Sequence, residues 1–155
     1  MSFKDDLAAA RAAVPDTKTV DVSVGTALVT LKVRAVPTTT WTEITAKHPP
    51  RVGVPLDMNY GYNWHASSDE AALQSVVRVE DGKDVPFERT DAVEASEGVE
   101  AVPAVDEWAE LLEVISAPDL TAIRNVVWEL NEYAPGLRTQ ALKKASTVNS
   151  RKKRN

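Results

Sequence analysis

From Thr19 to Arg34 the chain alternates polar and apolar residues on both sides of one glycine-containing turn. Val20, Val22 and Val24 fall on one face, opposite Thr19, Asp21 and Ser23. After Gly25-Thr26 the pattern resumes, with Val29, Leu31 and Val33 opposite Thr30, Lys32 and Arg34. A period of two belongs to strands with one buried face, so this segment predicts a β-hairpin. A hairpin alone is marginal in water. Helices from elsewhere in the chain have to cover its apolar face, and the expected fold class is α+β.

The flanking segments supply helical signals. Ser2 and Asp5 have capping-box spacing, predicting a helix from Phe3 to about Ala13 that stops near Pro15. Its alanines favour helix but bury little, so residues 1–17 read as a weakly packed N-terminal helix. Pro37 and Thr38 to Thr40 start a short helix, with Thr40 and Glu43 at capping-box spacing and Pro49 as its stop. Trp41, Ile44 and His48 share one face of it. Arg51 to Asn63, with Gly53, Pro55, Asn59 and Gly61, reads as a loop rich in Tyr60 and Tyr62 and followed by Trp64.

Ser67 or Ser68, with Asp69 and Glu70, opens a candidate helix reaching about Val77. That reading competes with a strand over Val76, Val77 and Val79, which the Asp81-Gly82 turn would join to Val85-Pro86-Phe87. Thr90 to Ala104 is expected to be a mobile acidic loop. Val105, Trp108, Leu111, Leu112 and Ile115 form one helical stripe, and Leu120, Ile123, Val126, Val127 and Leu130 form the next. Ser116, Pro118 and Asp119 mark a boundary short enough to require an antiparallel helical hairpin or a sharp corner. Pro135-Gly136 is expected to end the second helix. The resulting organisation is a single α+β domain over 18–137 with an acidic loop at 88–104. A basic tail at 138–155 is expected to be disordered.

Charge is unevenly placed. All 23 acids lie at or before Glu132, against 11 bases, whereas Arg138, Lys143, Lys144, Arg151, Lys152, Lys153 and Arg154 follow with no acid. The two parts carry −12 and +7, a pattern suited to self-association, partner docking or weak contact with nucleic acid. The tail lacks interleaved aromatics and the body is acidic, so binding to nucleic acid beyond weak, salt-sensitive contact is not expected.

The chain contains no cysteine and two histidines, His48 and His65, which removes disulfides, thiolate nucleophiles and an ordinary zinc site. No phosphate-cradling glycine loop, nucleophile elbow or His-Glu-x-x-His pattern is present, and Asp106, Glu107, Glu110 and Glu113 read as a solvated helix face. His48, between a helix end and two prolines, reads as a donor to free carbonyls at that C-terminus. A non-enzymatic protein without metal or cofactor is therefore expected. The acidic N-terminus and the lack of a long apolar run predict a cytosolic chain with no membrane span. Aromatics on a loop after a Pro-Pro stop have the composition of a contact surface, which makes Trp41, His48, Pro49, Pro50, Tyr60, Tyr62 and Trp64 the candidate partner-binding residues.

Taken in order, Leu28 to Pro37, Trp41-Thr42-Glu43-Ile44, His48-Pro49-Pro50-Arg51, Gly61-Tyr62-Asn63, Asp106 to Leu112 and Trp128-Glu129-Leu130-Asn131 resemble the tail assembly chaperones of long-tailed bacteriophages infecting actinobacteria. The resemblance covers roughly residues 28 to 132 and departs from the family over the acidic stretch 80–103, which is longer here. It implies a non-enzymatic chaperone in the host cytoplasm, absent from the mature virion, that binds the tape measure protein and keeps it soluble during tail assembly. It also implies a longer frameshifted form of the chain and further copies of itself as partners. A structural virion component, of head–tail connector or tail-terminator type, is the alternative reading; a small nucleic-acid-binding regulator acting through the basic tail is a third.

Overall fold

The computed structural model describes the backbone of residues 2–152 and the side chains of residues 2–146. β1 (Thr17–Val24) and β2 (Ala27–Arg34) form the expected hairpin, in one register from Thr17 opposite Arg34 to Val24 opposite Ala27. Gly25, at φ +60°, makes the tight turn between them. β3 (Val76–Glu80) lies antiparallel to β2, and β4 (Lys83–Val85) completes a sheet of order β1-β2-β3-β4. Asp81 and Gly82 both have positive φ, 50° and 75°, the geometry of the primed turn their dipeptide predicts. Strand thus prevails over helix from Val76 onward.

On one face of the sheet Val22, Leu31 and Val33 are completely buried, with Val20, Val24 and Val29 partly buried around them. α6 (Ala117–Trp128) crosses β1 and β2 on that face and packs against α4 (Trp64–Ser75), which in turn meets α2 (Thr38–Lys47). The core is filled by Ile123, Val126, Val127 and Leu130, by Trp41 and Ile44, by Trp64, Ala71 and Ala72, and by Trp108 and Leu111 of α5 (Glu107–Val114). α4 presents Ser67, Ser68, Ala71, Ala72 and Ser75 inward, and these small side chains let α6 approach closely. α6 starts beside the β1–β2 turn, where Asp119 accepts from the Ser23 N–H and hydroxyl, and it ends at the opposite end of the hairpin, where Asn131 accepts from the Val36 N–H. α5 and α6 are therefore joined by a corner, with Ser116 capping α6 by accepting from the Asp119 N–H.

Several expectations are corrected. α1 (Phe3–Ala12) has the full Ser2–Asp5 capping box and buries none of its residues, but α2 begins at Thr38 with no side-chain cap, so Thr40 and Glu43 form no capping box. Residues 51–63 are not all loop: α3 (Pro55–Tyr60) forms there, with proline in its first turn and Gly61 at φ +79° ending it. α4 opens at Trp64, because the Asn63 side chain accepts from the Ala66 N–H, and Ser67 and Ser68 lie inside the helix.

The acidic stretch is also ordered. β5 (Arg89–Thr90) pairs with β6 (Val105–Asp106), and bridges between Val93 and Val102 and between Ser96 and Val99 keep the same register to a turn at Gly98, φ +80°. One antiparallel ribbon thus replaces the expected loop.

Pro135-Gly136 does not end the C-terminal helix. Pro135 has no N–H to offer Asn131, and its ring would crowd that carbonyl in a regular α-helix. A widened π turn over Glu129–Tyr133 absorbs the misfit, and the chain continues as α7 (Ala134–Lys152). The segment expected to be disordered is helical to Lys152; the last residues of that expectation, 153–155, lie outside the described residues.

Candidate binding surface

The segment between α2 and α4 is held from within. Its prolines end α2, after which the Asn63 N–H donates to the His48 carbonyl at 2.8 Å and closes the segment into a loop around α3. Asp57, wholly buried, accepts from the Arg51 N–H at 3.1 Å, from Arg51 Nε at 2.7 Å and Nη2 at 3.1 Å, and from the Trp64 N–H at 3.3 Å. The Arg51 guanidinium first, then the backbone N–H groups, hold its carboxyl well below the usual carboxylate range against the opposing effect of desolvation. Buried charge is tolerated here because every direction around it carries a donor.

This clamp turns the aromatic side chains inward. Trp41, Tyr62 and Trp64 are buried in the core, not displayed for a partner. Trp41 and Tyr62 meet edge to face at 5.8 Å, and both donate to Glu132 Oε1, from Trp41 Nε1 at 2.9 Å and from the Tyr62 hydroxyl at 3.1 Å. Burial, then the nearby Glu132 charge, pushes the Tyr62 phenol well above its ordinary value, so it stays a neutral donor. Two of the seven expected contact residues, Trp41 and Tyr62, thus bond to the π turn, and a third, Trp64, is buried beside Asp57. Tyr60 remains at the surface, 5.3 Å from Trp128, which stacks on exposed Tyr133 at 5.5 Å. Pro49 is exposed and Pro50 half-buried.

His48 belongs to a different feature. Its ring does not donate to helix-end carbonyls; Nε2 lies 2.6 Å from Glu70 Oε2, and the Lys47 ammonium reaches the other Glu70 oxygen at 2.8 Å. Lys47 first, then His48, lowers the Glu70 carboxyl below its ordinary value. His48 and Glu70 stand at the rim of an open groove of about 730 Å³ between α4, α5 and the start of α6. Its floor is apolar: Ala66, Leu73, Trp108, Ala109, Leu112 and Leu120. Its rim is polar and fixed. Arg124 binds Asp69 with two hydrogen bonds of 2.7 and 2.6 Å, and Asp106 caps α5 through the Ala109 N–H. Beyond the rim, Glu110 and Glu113 stand exposed on α5.

A groove of this size and character seats a few apolar side chains at helical spacing while its rim hydrogen-bonds the flanks. Sequence reasoning placed Leu112 and Leu120 among buried stripes and passed over Leu73. The one available signal was width: α5 and α6 carry more apolar residues than a single contact face uses.

Among the described residues no cluster of three or more potential metal ligands occurs, and no helix is long and apolar enough to cross a membrane. Comparison with known protein families, with curated proteins and with solved structures finds no match to this chain.

Proposed function

We propose that this protein is a phage tail assembly chaperone, which covers apolar stripes on the helical tape measure protein until tail tube subunits replace it. The observation that carries the reading is the apolar groove between α4, α5 and α6, open to solvent and bordered by anchored polar groups. A long amphipathic helix alone exposes apolar surface that aggregates, and a helix-sized groove covers it without chemistry. Between Glu80 and Glu113 twelve acids face two bases, Lys83 and Arg89, which favours partner helices with basic flanks. Contacts of modest individual strength, repeated by many copies along one partner, suit a cover that must later be displaced.

The test is co-expression with a long helical tape measure protein. The partner should become soluble and co-purify with the intact protein, and it should remain insoluble with Leu73→Asp or Leu112→Asp variants that keep the fold. An insoluble partner in every case refutes the reading. Recovery of the protein as a stoichiometric part of purified virions would favour a connector or terminator instead.

A further inference from the structure

Two elements project from the body with almost nothing packed on them, and they carry opposite charge. The ribbon between β5 and β6 is exposed at every residue from Glu88 to Ala104, and from Thr90 to Ala104 it holds four acids and no base. Asp91, Glu94, Glu97 and Glu100 make no ion pair among the described residues. The register puts Val93, Val102, Asp91 and Glu100 on one face, where Val93 is 47% and Val102 52% exposed. An apolar pair between two acids is therefore left open to solvent. α7 is exposed at every described side chain from Gly136 to Ser146, including Leu142 at 67% beside Lys143 and Lys144, and the chain from Lys143 onward has six bases and no acid. Isolated two-stranded ribbons and single helices are both marginal in water, so each element lacks the burial that would hold it.

Their placement decides how they can meet. The ribbon is rooted at the β1–β2 turn end of the body: Glu107 accepts from Arg78 Nη1 and the Glu88 N–H, both at 2.6 Å, beside a hollow lined by Val24, Val29 and Phe87. α7 is rooted at the other end of the hairpin, where Lys18 pairs with Glu129 and Arg138 with Asp16. The eight residues of β1 separate these ends by roughly 26 Å, and α7 leads off from the end remote from the ribbon.

We infer that α7 of one copy docks on the acidic ribbon of a second copy, producing a head-to-tail oligomer held by opposite charge and by apolar contacts of Leu142 with Val93 and Val102. Such an interface joins two different patches, so repetition builds a ring or an open chain.

Sedimentation velocity on the full chain alone tests this, independently of any tape measure partner. At low salt the sedimentation coefficient should rise with concentration, and association should weaken by about tenfold or more as salt rises to ~1 M, where charges are screened beyond ~3 Å. A ribbon-reversed variant (E94K, E97K, E100K) and a tail-reversed variant (K143E, K144E, R151E, K152E, K153E) should each remain monomeric with unchanged far-UV circular dichroism, and should associate when mixed. A wild-type monomer at all concentrations in low salt, association indifferent to salt and to both reversals, failure of the folded variants to associate on mixing, or cross-links joining α7 to its own ribbon would each overturn the inference.

Discussion

Ser67→Ala and Ser68→Ala should each stabilise the protein, against the usual direction of core substitutions. Both residues are wholly buried on the inner face of α4, and neither hydroxyl has a hydrogen-bond partner. A buried hydroxyl without a partner costs about 1–3 kcal/mol. Alanine also gains about 0.5 kcal/mol of helix propensity over serine. Against this stands the dispersion lost with one oxygen, a few contacts at ~0.1–0.2 kcal/mol each. The balance is about 1 kcal/mol in favour of each alanine, or ~2–4 °C in Tm for a chain of this length. Ser75→Ala is the internal control. It lies on the same face of the same helix, but its hydroxyl donates to the Ala71 carbonyl at 2.8 Å. Losing that bond offsets the propensity gain, so its stability should stay level or fall slightly. Urea and thermal unfolding of the three variants decide the matter. If Ser67→Ala and Ser68→Ala lower the midpoint as Ser75→Ala does, those hydroxyls are satisfied and the argument fails.

Stability should also fall at acid pH. Asp57, Glu70, Glu107 and Asp119 are held below their ordinary values chiefly by Arg51, by Lys47, by the Glu88 N–H and by the Ser23 hydroxyl, in that order. Depressed native values contribute stability that is complete above about pH 4.5 and lost as pH falls through those values, so the urea midpoint should be flat with respect to these groups from pH 5 to 8 and drop below pH ~4. Asp57→Asn should lower the midpoint at neutral pH and shallow the acid drop; an unchanged acid profile would refute its assigned role. Leu73 is 44% exposed in the groove, so a partner covering it recovers somewhat under half the ~1.5–3 kcal/mol of full leucine burial, and Leu73→Ala should weaken tape measure binding about fivefold in a titration. Gly98→Ala places a side chain at φ +80°, which costs about 1 kcal/mol; amide exchange at Val93 and Val102 should quicken while global Tm is unmoved, and a lowered Tm would show that the ribbon belongs to the cooperative core.

Local patterns settled a good part of the architecture. The alternation from Val20 to Val33, the Asp81-Gly82 turn and the Ser2 and Ser116 caps each rest on a neighbour two to four residues away, and the structure keeps them. Of the two helical stripes it buries Trp108, Leu111, Ile123, Val126, Val127 and Leu130, while Val105 lies in β6 and Leu112 and Leu120 line the groove. The stop at Pro135 was misread because a proline forbids a regular turn there but not a wider one, and whether the chain continues depends on what lies around it. The Thr90 to Ala104 ribbon was misread because its alanines, acids, Gly98 and Pro103 dilute the strand preference of its valines, while its register is set at its base by Arg89 opposite Asp106.

What the amino-acid order determined by itself is the β1–β2 hairpin, the existence of α1, α2, α5 and α6, and the opposition of an acidic body to a basic end. Tertiary structure alone decided where the aromatic side chains went and where the open surface lies. Trp41, Tyr62 and Trp64 look like a contact patch along the chain, yet Asp57 and Glu132 draw them inward, because a buried carboxylate must gather donors from wherever the fold brings them. The groove joins Leu73, Leu112 and Leu120 from three helices, and no period within any one helix records that meeting.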